Sequence, residues 1–136
     1  MLSTTKSRIL LPFVLFAFSV SLLSVFAQNE TPAELKIRAK ALIEATKLTE
    51  ALPLYEKLVQ LTPNDGEAYL YLGFSLMGQI TVTTDPEARK QLRIRARNAY
   101  IKAKELGDKS VAVQGYIDGL SPDGSEPGGD APKGPR

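Results

Sequence analysis

The chain has no cysteine and no histidine. Without cysteine there are no disulfides, no thiolate chemistry and no lipid attached through sulfur, so packing alone must hold the fold. Without histidine the commonest metal ligand and the commonest acid–base group near neutral pH are both gone. No Ser-His, Cys-His or HExxH pairing and no glycine-rich phosphate loop occurs, and the carboxylates are scattered singly. "GSEPGGD" has glycines but lacks the strand before it and the helix after it that phosphate binding needs. Catalysis, a metal and an organic cofactor are therefore not expected. A charge excess is missing too: 17 basic residues face 15 acidic ones, and Lys6 with Arg8 supply the whole difference (17 − 2 = 15). A neutral body is not attracted globally to nucleic acid.

What is present divides into three parts. Lys6 and Arg8 precede an uncharged run over residues 9–26, and Val25-Phe26-Ala27 ends in a polar Gln28. This is the layout of a secretory signal, cut after Ala27. The alternative is an uncleaved membrane anchor, because 18 uncharged residues are just enough to span a bilayer. Loss of 27 residues from the mature mass separates the two readings. At the other end residues 121–136 have Pro or Gly at 8 of 16 positions and no large apolar side chain, which predicts a disordered tail or a linker.

Residues 31–120 read as helical throughout, giving an all-α fold. "TPAE" offers Thr31 as N-cap, Pro32 at the first helical position and Glu34 for a capping box; the helix runs to about Thr46 with Leu35, Ala39 and Leu42 on one face. A second helix starts near Thr49, with Ala51, Tyr55 and Leu58 together and Pro53 near its first turn, and stops at "TPND". A third covers about Glu67 to Gln79. A fourth begins at Asp85-Pro86 and ends at Gly107, and "SVAVQGYIDG" predicts a short fifth.

The chain also matches itself. Leu35, Ala39 and Leu42 map onto Tyr69, Gly73 and Leu76 at a shift of 34, and Ala51, Tyr55 and Leu58 onto Ala96, Tyr100 and Ala103 at a shift of 45. These are two helical hairpins, 31–63 and 66–107, the second with 11 extra residues between its helices, followed by a capping helix over 110–120.

In these positions the chain resembles the tetratricopeptide repeat family. Tyr69, Leu72, Gly73 and Leu76 match the first half of its pattern, and Ala51, Tyr55 and Pro63 match the second. Arg38 stands where leucine is usual and Asp108 where proline is usual. The resemblance implies stacked hairpins that bind a protein or peptide partner passively, in an exported bacterial protein of the periplasm or the cell exterior. Two repeats fall short of the three that usually close such a stack, so self-association is also expected.

Two surfaces are candidates for binding. Lys36 and Lys40 on the first helix, and Leu70, Phe74 and Met77 on the third, lie one position beyond the packing set. The resemblance implies that this face lines a concave groove, whereas the plainer reading covers Leu70, Phe74 and Met77 with the fifth helix. The family's clamp for a terminal carboxylate wants asparagines where Lys40 and Tyr71 stand. The second surface is basic: residues 89–104 hold seven cations and no acid. Arg89, Arg93 and Arg97 share a face, and with Lys90 they would project from a long fourth helix toward an anionic partner. Its alternative is a solvated face paired with acids from neighbouring helices. The expectation is an exported interaction module without nucleic acid. A membrane-anchored assembly subunit using the same surfaces is the runner-up, and an enzyme of unrecognised type the more distant alternative.

Overall fold

In the computed structural model residues 30–126 are described, so the expected signal or anchor and residues 127–136 of the tail lie outside them. Among the described residues there are five helices and no strand: α1 (Pro32–Glu44), α2 (Leu48–Leu61), α3 (Gly66–Val82), α4 (Pro86–Glu105) and α5 (Val111–Asp118). None is long and apolar enough to cross a membrane.

Local chemistry sets most helix ends. Asp65 Oδ1 accepts from Ala68 N at 3.1 Å and Asp85 Oδ2 from Ala88 N at 2.7 Å, while Ser110 caps α5 through Val113 N. Past α4 the chain turns left-handed at Gly107, with φ of 110°, and Asp108 N reaches back to Ala103 O. The same turn closes α1, but there the left-handed residue is Thr46, with φ of 58°, and Lys47 N bonds Leu42 O. α2 starts at Leu48, so Pro53 lies in its interior rather than its first turn. Its missing N–H leaves the Thr49 carbonyl without an i+4 donor; Pro53 is exposed and Thr49 half-buried.

Each helix packs on its neighbour in sequence, and α1 also touches α3. Leu35 and Ala39 of α1, Ala51, Tyr55 and Leu58 of α2, and Ala96, Tyr100 and Ala103 of α4 are all buried. The additional length of the second helix pair lies in the helices themselves: α3 has 17 residues against 13 in α1, and α4 has 20 against 14 in α2. α3 is the most enclosed element, with seven buried residues including two glycines. A Cβ on Gly73 would lie 2.7 Å from Cζ of the Tyr100 ring, so this glycine is what lets α4 approach α3 so closely. A glycine in a helix costs about 1 kcal/mol against alanine, and the burial of Tyr100 offsets it.

Candidate functional site

The two lysines of the expected groove are not free. Lys36 Nζ lies 2.7 Å from Asp65 Oδ2 and 2.8 Å from Glu67 Oε2, and Lys40 Nζ lies 2.9 Å from Glu67 Oε1. Asp65 thus caps α3 with one oxygen and holds α1 with the other. Burial pulls the Lys36 ammonium down, but the hydrogen bonds to Asp65 and Glu67 outweigh it and leave it raised. Lys40 is raised by its hydrogen bond to Glu67, and the Glu67 carboxyl is held below its ordinary value by Lys36 and then Lys40.

Beyond this cluster runs a chain of rings. Tyr71 lies 5.6 Å from Tyr55 and 6.0 Å from Phe74 between centroids; Phe74 meets Tyr116 edge-on at 5.2 Å, and Tyr116 stacks on Tyr100 at 5.0 Å. Tyr55 and Tyr100 are fully buried, and burial pushes both phenols up, whereas Tyr71 and Phe74 are half-buried and Tyr116 is exposed. Leu70 is half-buried against the core. The fifth helix does cover part of Phe74, through Tyr116, and Met77 stands beside Tyr116 in the wall of a pocket. Tyr71 and Tyr116 are absent from the sequence-based candidates. Tyr116 follows Gly115 in a weak helical segment, and its neighbours are set by how α5 folds back.

The basic face of α4 corrects a second expectation. Arg93 does not project: it is 7% exposed, with Nε donating to Gly124 O at 2.6 Å and Nη1 3.4 Å from Glu126 Oε1. Arg89 Nη2 lies 3.1 Å from the same oxygen. Arg97 is half-buried and lines a separate hollow with Ile101 and Ile117, facing α5. Lys90 is half-buried as well, its carbonyl covered by Gly124. The reason is a segment whose packing composition hides: residues 121–126, just after buried Leu120, lie back along α4 as a strap. Gly124, with φ of 76°, has no room for a side chain, since a Cβ there would stand 2.8 Å from Ile94 Cγ1. α3 also continues to Val82, past the expected end at Gln79, and so accompanies the first turns of α4.

Between α3, α4, α5 and the strap lies a pocket of about 390 Å³. Met77, Ile80, Tyr100, Tyr116 and Leu120 form apolar walls, with Arg89, Arg93 and Glu126 at the polar side. Among the described residues no group of three or more acids gathers where a metal ion would be held. Neither a protein-family model, nor a curated protein, nor a solved structure matches the chain.

Proposed function

We propose that this chain is a protein-interaction module that holds an extended peptide segment of a partner protein along the side of the molecule bearing Leu70, Tyr71, Phe74 and Tyr116. The observation that supports the reading is the line of half-buried and exposed rings from Tyr71 through Phe74 to Tyr116. Such rings are large, stiff and amphipathic, and lose little conformational freedom on contact, which is why aromatic residues dominate binding hot spots. The buried tyrosines behind them fix the ring positions, so the surface is preformed and little ordering opposes association. The Lys36–Asp65–Glu67–Lys40 cluster borders the line with charges already paired, so it sets register and excludes mismatched side chains rather than anchoring a free carboxylate. The tetratricopeptide resemblance points the same way.

Photo-crosslinking tests this reading. A benzophenone side chain in place of Tyr71 or Tyr116 is expected to yield the same discrete partner adduct, and one at Val82, 62% exposed and outside the ring line, none. Equal labelling from Val82, or no adduct from either tyrosine position, rejects the assignment.

A further inference from the structure

We infer that the pocket enclosed by α3, α4, α5 and the strap is a binding site for an amphiphilic monoanion, a carboxylate carried on a medium-length alkyl chain. The proposal does not rest on the peptide reading: Tyr116 is common to both surfaces, but Leu70, Tyr71 and Phe74 take no part in the pocket.

Three observations converge. First, the walls are aliphatic and aromatic, and at about 390 Å³ the space is within the range of small-molecule sites. Met77 in that wall has an unbranched, polarisable side chain that adjusts to a flexible alkyl tail. Second, the polar side holds more positive charge than it neutralises. Arg89 and Arg93 both line the pocket, and among the described residues the only acid lining it is Glu126. Arg93 is 7% exposed, and Arg89 Nε is buried without a hydrogen-bond partner among the described residues. The buried Arg93 guanidinium and the enclosed Arg89 Nε need compensating acceptors, so one more anion is electrostatically wanted here. Third, Glu126 shows which anion the arginines accept. A single carboxylate oxygen, Oε1, lies 3.1 Å from Arg89 and 3.4 Å from Arg93, a geometry that a ligand carboxylate entering the pocket can repeat with both oxygens.

Glu126 is then an internal competitor. It belongs to a strap that Arg93 holds separately through the Gly124 carbonyl, so the carboxylate can swing away while the strap stays in place. Its side chain is 58% exposed, which places it at the mouth of the pocket rather than in its depth.

The experiment uses the full chain with ¹³C-methyl methionine. There are two methionines, Met1 and Met77, and among the described residues Met77 is the one in the pocket wall. Titration with decanoate below its micelle concentration is expected to shift the Met77 methyl resonance saturably. Decanol and acetate should bind at least about tenfold more weakly, because each supplies only half of the recognition. Affinity should rise about threefold to fourfold for each methylene from hexanoate to decanoate. Arg89→Gln should weaken decanoate binding about tenfold, and Glu126→Gln should tighten it several-fold. Helical circular dichroism establishes that both variants are folded; Arg89 is partly exposed and Glu126 mostly so, so neither substitution opens the core. A shift confined to Met1, equal binding of decanol, or indifference to both substitutions in folded protein overturns the proposal.

Discussion

Gly73 and Gly115 are both helical glycines, and replacing each by alanine separates close packing from backbone entropy. At Gly73 the added methyl meets the Tyr100 ring, which is backed by Phe74 and Tyr116 and cannot retreat. Overpacking outweighs the gain in helix propensity, so Gly73→Ala should lower stability by about 1–2 kcal/mol. At Gly115 a Cβ meets nothing within 4 Å. Gly115→Ala should therefore raise stability by about 0.5–1 kcal/mol. Urea midpoints of the two variants against the parent chain give the comparison, and shifts of the same sign would contradict it. The buried residues Tyr55 and Tyr100 carry a related tension, because among the described residues neither enclosed hydroxyl has a hydrogen-bond partner while its ring fills the core.

At the scale of single elements, the ends of α1 and α4 use one turn geometry with different residues. Gly107 takes the left-handed position after α4 without strain, but Thr46 takes it after α1 with a β-branched side chain. Thr46 is exposed, and among the described residues its hydroxyl donates only to the neighbouring Ala45 carbonyl. Thr46→Gly should stabilise the protein by about 0.5–1 kcal/mol, the relief of strain exceeding the added freedom of the unfolded chain. Thermal unfolding reads this directly, and a lower midpoint would mean that the turn is not strained. The helix starts were legible in the sequence because caps are local: Asp85 and Pro86 act within one turn. The late end of α3 was not, since residues 80–82 bear no stop signal and packing carries the helix on through Ile80.

For the whole molecule, the tie between α1 and α3 responds to pH. The Glu67 carboxyl is held below its ordinary value of 4.5, so its contribution is complete above that value and is lost as pH falls through the folded one. Lys36 and Lys40 are raised above 10.5, so theirs is complete below that value and is lost as pH rises through the folded ones. The tie is therefore at full strength between about pH 5 and pH 10. Glu67→Gln should lower the urea midpoint at pH 7, and by less at pH 3.5, which is below the ordinary value of 4.5 and so nearer the folded one. A gap of the same size at both pH values would assign the effect to shape rather than charge.

Periodicity along the chain was enough to assign the all-helical class and to choose the buried faces. Leu35, Ala39, Ala51, Tyr55, Ala96 and Tyr100 are core residues because a helix turns its apolar positions to one side whatever it meets there. What meets each polar face was decided by tertiary structure alone. Lys36 finds Asp65 across 29 positions of chain and Arg93 finds Gly124 across 31, and no local pattern encodes pairings at such separations. The strap that converts a basic helix face into the wall of a pocket comes from a Pro/Gly-rich segment whose composition predicts no packing. Its place on α4 follows from one backbone carbonyl accepting a buried guanidinium, and from a glycine small enough to lie against the helix.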